Sequence, residues 1–349
     1  MNAKRLIAAV ALMLFIAISG SSALLAQDSA CDRQCLVSMM QQYLAALVKH
    51  DPTAVPWAYE VKFVENTNNI PVGKGLWITA SAGPKDFQIY AADPAAQQVA
   101  CLVMMKETDK DILMGARLML EDKKIRQAEH LIVRDLGTSP MGASALDNLI
   151  KPRPGLLEDV SAADRMSRSE LLRIGRTYYE TLTKEDGTIS PFALECERHE
   201  NGAVTAGGQM GTPKSKPAAK EGAAKEPAPK VDSEFEKLMK EMAAAGPVAN
   251  TCEAQISTGT FSYITEINDR RVLIADEQKG LAVGFSMFYH DSSLKEYMYK
   301  GPKGAVKMRS YQGTFNLPAM HIYKIKKGKI YDIEAIGITL PYGQKSGWE

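Results

Sequence analysis

The chain has 349 residues, with 42 Lys and Arg against 41 Asp and Glu, five His and five Cys. A balance this close to neutral shows no basic domain or stripe of the kind that nucleic-acid binding needs, and the length is ample for two domains with sizeable cores. The single long apolar run, near the N-terminus, is shorter than the roughly 20 residues a spanning helix requires, so no stable membrane insertion is expected.

Taken in chain order, MNAKR, LIAAVALMLFIAI and SGSSALLAQ give the basic, apolar and small-residue regions of a signal peptide, with cleavage expected after Ala26. Export to a periplasm or beyond the cell follows, and five cysteines in an exported chain imply disulfides with one thiol left over. Cys196 and Cys252 flank a long excursion that a bridge would close. Cys31 and Cys35 are a second candidate pair, and Cys101, inside the apolar run VACLVMM, reads as a buried thiol.

Leu36, Met40, Tyr43, Leu44 and Leu47 fall on one helix face. Asp51 and Pro52 then suit the cap and first residue of a second short helix running toward Tyr59. QQVACLVMMKET, DILMGARLMLED and KKIRQAEHLIVR read as three strands of an antiparallel meander. Ser167 with Glu170 forms a capping box for a helix whose apolar face is Leu171, Leu172, Tyr178 and Leu182, and Asp186 restarts a short helix toward Leu194. Residues 212–230, rich in Lys, Ala and Pro, lack core formers and are expected to be disordered. SEFEKLMKEMAAA, residues 233–245, has the spacing of a short amphipathic helix. RRVLIADEQ, GLAVGFSMFYHD, NLPAMHIYKIKKG and KIYDIEAIGIT read as further strands.

The chain repeats itself. YLAALVKHDPTAVPWAYEVKFVEN at 43–66 aligns without a gap on YYETLTKEDGTISPFALECERHEN at 178–201, sharing Tyr43/Tyr178, Glu65/Glu200 and Asn66/Asn201 among others. Ala92-Asp93 answers Ala275-Asp276, and KIRQAE at 124–129 answers KIYDIE at 329–334. The expected organisation is a signal peptide (1–26), a first domain (27–150), a connector (151–166) and a second domain (167–349) carrying an insertion at about 207–232. Each half is α+β, helices first and then a curved antiparallel sheet, and the halves are expected to pack as an intramolecular pseudo-dimer.

This layout resembles the cone-shaped nuclear transport factor 2-like folds, which include SnoaL-like cyclases. CERHENG at 196–202, FSYITEINDRR at 261–271 and ADEQKGLAVGFSMFYHD at 275–291 are similar to an exported family known as domain of unknown function DUF8021. The resemblance implies two tandem cones with ligands bound at a cone mouth, and it transfers no established chemistry.

Candidate site residues come from residue type and position. Period 2 puts Glu129 on one strand face with Ile125, and Glu334 with Ile330, while His130 points the other way as a surface or packing residue. Glu334 and His290 are the catalytic candidates, pairing with each other or with His321. Arg198, Glu200, Arg270, Arg271, Tyr178, Tyr263 and Tyr331 are the ligand-binding candidates. Arg270 and Arg271 can instead pair with Asp276 or Glu266. Tyr43, Trp57, Tyr59, Trp77, Tyr179 and Phe192 either line the cones or fill them. No metal motif or cofactor fingerprint is present. The function read from this is an exported binder of a small apolar or aromatic molecule, mainly in the second domain. The alternatives are a cofactor-free lyase or isomerase and a structural or interaction module.

Overall fold

The computed structural model describes residues 30–136, 142–208, 248–310 and 313–349, with isolated positions between 237 and 246. The expected signal peptide and the Lys/Ala/Pro-rich segment at 212–230 lie outside the described residues, as does most of 233–245.

Helix α1 (Arg33–Val48) begins where the Asp32 side chain accepts from the Cys35 amide, and it buries Leu36, Met40, Tyr43, Leu44 and Leu47. Asp51 caps as expected, accepting from the Thr53 amide, but the helix it starts is a single turn, Pro52–Ala54. Strand β1 (Trp57–Glu65) follows at once. The expected run toward Tyr59 fails because WAYEVKFVE, rich in aromatic and β-branched residues, gains more from pairing in a sheet than from local helix propensity. After β2 (Asn68–Asn69), the short α2 (Leu76–Thr79) and β3 (Ala80–Ala82) come β4 (Gln88–Asp93), β5 (Gln98–Glu107), β6 (Lys110–Glu121) and β7 (Lys124–Val133). The last three form the expected meander, and β1 joins it parallel to β7.

Short helices α3 (Gly142–Asn148) and α4 (Pro154–Leu157) lead to α5 (Arg168–Lys184), which opens with the Ser167–Glu170 capping box. The second copy then repeats the first. Asp186 caps one turn, Gly187–Ile189, in place of the helix expected toward Leu194, and β8 (Phe192–Glu200) pairs parallel with a later strand. The remaining elements are β9 (Ala203–Ala206), α6 (Cys252–Ser257), β10 (Glu266–Asp276), β11 (Leu281–His290), β12 (Glu296–Gly301), β13 (Gly304–Arg309), β14 (Phe315–Lys326), β15 (Lys329–Gly337) and β16 (Leu340–Pro341). Disulfides join Cys31 to Cys35 and Cys196 to Cys252, while Cys101 is a buried free thiol whose pKa burial pushes up to about 12. No helix among the described residues is long and apolar enough to cross a membrane.

Among the described residues the strands form two main sheets, ordered β2-β1-β7-β6-β5-β3 and β10-β11-β14-β15-β8-β9. One face of each sheet holds its own helix: Met40, Tyr43 and Leu47 pack with Val103, Met114 and Ile132, and Tyr178 and Leu182 with Tyr323 and Ile333. The other faces pack against each other, Leu102, Leu113 and Leu131 meeting Val283, Met320 and Ile336. The contact is close: a Cβ on Gly115 would lie 2.4 Å from the Met320 sulfur.

The sheet-to-sheet interface is reciprocal. Arg33 pairs with Asp276 and Arg168 with Asp93, each at 2.9 Å. Asp276 also accepts from the Ala92 amide and Asp93 from the Ala275 amide, both at 3.0 Å. Residues at equivalent positions of the repeat exchange equivalent bonds, which is the signature of an isologous contact, here inside one chain.

Candidate functional site

The repeated Tyr and Glu of the opening alignment meet inside the cones. In the first, the Tyr43 hydroxyl lies 2.8 Å from His130 Nε2, and His130 Nδ1 lies 3.4 Å from Glu65 Oε2. A carboxylate only accepts, so neutral His130 carries its proton on Nδ1 and accepts from Tyr43 through Nε2. The Leu76 amide donates to the same Glu65 oxygen at 2.9 Å, an approach that Gly75 permits: at φ +62°, a Cβ there would stand 2.5 Å from the carboxylate. Burial opposes the charge on Glu65, yet His130 and the Leu76 amide hold its pKa below the ordinary value. Trp57 and Trp77 crowd Tyr43 edge-on, with ring centroids at 5.9 and 5.3 Å.

In the second cone Arg198 replaces the histidine. Its Nε donates to the Tyr178 hydroxyl at 2.7 Å, Nη1 to Thr205 at 2.9 Å, and Nη2 to Glu200, with the Phe261 ring 5.0 Å from the guanidinium. Burial works against this cation, and Glu200 outweighs it, raising the Arg198 pKa. The two chains of contacts are built by a compensated exchange. Phe63 and His130 of the first cone occupy the positions of Arg198 and Ala335 in the second, because Glu65 is in register with His130 as Glu200 is with Ala335. The nitrogen-bearing side chain that links Tyr to Glu has moved from one strand to its neighbour, from imidazole to guanidinium, while Tyr and Glu stayed.

Deeper in the second cone the polar groups are less well matched. The hydroxyls of Tyr179, Tyr323 and Ser286 lie close enough to influence one another, but none makes a hydrogen bond of good geometry, and neither does His321 Nδ1. All four residues are buried. Burial and then the charge of Arg198 depress the His321 pKa to about 3, so its imidazole is neutral at physiological pH. Burial raises the Tyr179 hydroxyl to about 12 and Tyr323 well above its usual value. The arrangement offers neutral donors and acceptors beside one fixed cation, suited to a carbonyl or hydroxyl on an otherwise apolar molecule.

The other sequence candidates go elsewhere. The third residue of β7, Arg126, and that of β15, Tyr331, are extra residues in their ladders, so the side-chain parity flips there. Glu129 and Glu334 therefore do not share a face with Ile125 and Ile330; they point between the sheets, and it is His130 that enters the cone. Glu129 is clamped by Arg117 at 3.0 Å and by Arg271 at 2.7 Å. Arg271 also pairs with Asp269 and Arg270 donates to the Ile267 carbonyl, so neither meets Asp276 or Glu266 as expected. Glu334 meets Arg153 at 3.0 Å and His199 at 3.5 Å, with Asp332 and Glu197 on the same arginine. Burial raises the Glu334 pKa, and Arg153 and His199 only partly offset it.

His290 lies 2.6 Å from the Tyr263 carbonyl and cannot reach Glu334. Glu334 is in register through Ile322 with Val283, seven residues along β11 from His290 and roughly 23 Å away at strand rise. His321 faces the cone and Glu334 the opposite side, so that pair fails too. Tyr263 stands near Arg198, Tyr331 lies under Lys326 at 4.5 Å, and Tyr59 is fully exposed and lines nothing. Of the separate sequence candidates, the structure brings Tyr178, Arg198, Glu200 and Tyr263 together; Tyr179 and His321 were named singly, and Tyr323 and Ser286 beside them were not named. The alternation M-H-I-Y in β14 was the available signal, since it puts His321 and Tyr323 on one face.

A helix packed in a curled, mainly antiparallel sheet with polar groups gathered inside is an α+β arrangement, present here twice. Residues 164–337 match the family described as a domain of unknown function, DUF8021. Two solved structures are similar. A proposed polyketide cyclase from Silicibacter sp. TM1040 is 10% identical, with 50% of this chain and 92% of that one covered and a TM-score of 0.26. AusH from Aspergillus nidulans is 12% identical, with 49% and 86% covered and a TM-score of 0.25. No curated protein matches the chain.

Proposed function

We propose that this is an exported small-molecule-binding protein whose second cone takes a compact, largely apolar or aromatic ligand bearing a carbonyl or hydroxyl. The observation that carries this reading is the set of four buried polar groups, Tyr179, Tyr323, Ser286 and His321, that the protein itself leaves without well-formed hydrogen bonds. Each such group costs about 1–3 kcal/mol when unmatched, so four in one place favour a partner that is not part of the chain. Arg198, with its counter-ion Glu200 half-exposed, adds a fixed positive charge that disfavours cationic ligands. The two disulfides support export, with residues 1–26 as the signal peptide. In the first cone, Trp57, Trp77 and Tyr43 fill the space around the histidine, which favours a supporting role for that domain.

The alternative, a cofactor-free lyase or isomerase, has one specific observation behind it: the Tyr43–His130–Glu65 chain can hand a proton from phenol to imidazole. Native mass spectrometry of the protein from its own host tests the binding reading. A stoichiometric organic molecule, lost on Tyr179→Phe and Tyr323→Phe substitution, is the expected result. Protein that is empty and takes up no member of an aromatic ketone and phenol panel would sink it. Turnover of a captured molecule would move the reading to the enzyme.

A further inference from the structure

The hairpin of β12 and β13 stands apart from both main sheets. It has no counterpart in the first half, where only Thr108 and Asp109 join β5 to β6, whereas 24 residues, 291–314, separate β11 from β14. One face of the hairpin packs Tyr299 and Met308 on Ala245, with Tyr297, Val306 and Val248 around them, in a small core separate from the cones. Its presence is therefore not explained by either cone.

The opposite face is built from three cross-strand pairs, Glu296 with Arg309, Met298 with Lys307 and Lys300 with Ala305, and all six residues are exposed. Lys303 at the tip and Lys295 at the base are exposed as well. From 295 to 309 there are five basic residues and one acid, a charge of 5 − 1 = +4, in a chain whose total is 42 − 41 = +1. The remainder carries 1 − 4 = −3, so this hairpin is a concentrated positive projection on a chain that is otherwise net acidic, with Lys324, Lys326, Lys327 and Lys329 forming a second basic cluster where β14 turns into β15. Glu296 pairs with Lys307, and Lys300 meets Glu185 at 3.8 Å. Met298, 45% exposed, sits among these cations.

We propose that the outer face of β12–β13 is a docking surface for an anionic lipid bilayer. A negatively charged bilayer attracts clustered Lys and Arg while the acidic remainder of the protein is repelled, which orients the hairpin toward the lipid. Met298 selects a bilayer over a soluble polyanion: its thioether can bury at the headgroup boundary, whereas a hydrated polymer would leave it in water. The contact is peripheral, made by side chains of one hairpin face.

Co-sedimentation of the full protein with phosphatidylcholine vesicles, with and without phosphatidylglycerol, tests this. Binding is expected only with the anionic lipid, and it should weaken as salt shortens the Debye length from about 30 Å at 0.01 M to about 8 Å at 0.15 M. Lys300→Ala, Lys307→Ala and Arg309→Ala should each weaken it about fivefold, equivalent to about 1 kcal/mol per cation. The triple variant leaves the packed face of Tyr299 and Met308 untouched, and its circular dichroism should match the parent. Met298→Ser should weaken binding without changing its salt dependence. Equal sedimentation with both vesicle types, no sedimentation with either, or unchanged binding by the triple variant would overturn the proposal. Binding to a sulfated polysaccharide without binding to vesicles would overturn the choice of lipid.

Discussion

Arg33 donates to both carboxylate oxygens of Asp276 across the boundary between the two halves, at 3.1 and 2.9 Å. Arg168 does the same to Asp93, and each Asp also fixes a backbone amide of the opposite half. Both aspartates are 1% exposed, so removing either leaves a buried amide without its acceptor, while the released arginine, 22% or 38% exposed, turns to water. Asp93→Ala and Asp276→Ala should each destabilise the protein by about 2 kcal/mol, and by similar amounts, because the geometry is repeated. Exchanging charges as Arg33→Asp with Asp276→Arg should recover only part of the loss, since arginine cannot accept from the Ala92 amide. Urea unfolding measures all of these; unequal losses from the two aspartates would show that the interface is not functionally symmetric.

The unmatched hydroxyls of the second cone give a prediction with two opposite signs. Tyr179→Phe and Tyr323→Phe each delete a buried hydroxyl that has no well-formed bond, so each should leave stability unchanged or raise it by about 1 kcal/mol. The same substitutions should weaken ligand binding. Loss of stability in both variants, with binding intact, would mean the hydroxyls serve the fold.

The helices, the meander strands and their order were legible because Leu36, Met40, Tyr43 and their counterparts keep a clean 3.6-residue spacing and the strands are bounded by polar turns. The face of Glu129 and Glu334 was not, because one extra residue, Arg126 or Tyr331, reverses the alternation, and a bulge leaves no mark in the hydrophobic pattern. Ala92-Asp93 and Ala275-Asp276 were visible as a repeat. That each Asp serves the other domain's helix could not be read, since repetition within a chain says nothing of which copy supplies a partner. The first residues of β1 and β8, up to Tyr59 and Leu194, read as helix because the partners that draw them into strands are parallel and distant in sequence.

Glu129 and Glu334, equivalent in the repeat, should respond to pH in opposite directions. Burial works against the charge on Glu129, but Arg271 and Arg117 hold its pKa below the reference value of 4.5, whereas burial keeps that of Glu334 above it. The stabilisation from Glu129 is complete above the unfolded value and is lost as pH falls through the folded one. For Glu334 the contribution is complete below the unfolded value and is lost as pH rises through the folded one. Measured by urea unfolding from about pH 3 to pH 7, the deficit of Glu129→Gln relative to the parent should grow with rising pH, to about 3 kcal/mol near neutrality. Glu334→Gln should gain on the parent as pH rises across its window. Parallel slopes for the two variants would refute the assignment.

The exchange of Phe63 and His130 for Arg198 and Ala335 predicts that the first cone can be rebuilt on the pattern of the second. His130→Ala alone removes the partner of both Tyr43 and Glu65 inside a packed core and should cost about 3 kcal/mol. Phe63→Arg alone sets a guanidinium against His130, whose ring lies 4.9 Å from that of Phe63, and should cost a similar amount. Combined, the new arginine has the space vacated by histidine, a tyrosine hydroxyl and a carboxylate two residues along its own strand, as Arg198 has in the second cone. The double variant should therefore be more stable than the sum of the single losses by about 1–3 kcal/mol, the coupling expected of residues in one network. Additive losses would mean that the likeness of Tyr–His–Glu in the first cone to Tyr–Arg–Glu in the second is a coincidence of composition, and that the shared Tyr and Glu answer to packing alone.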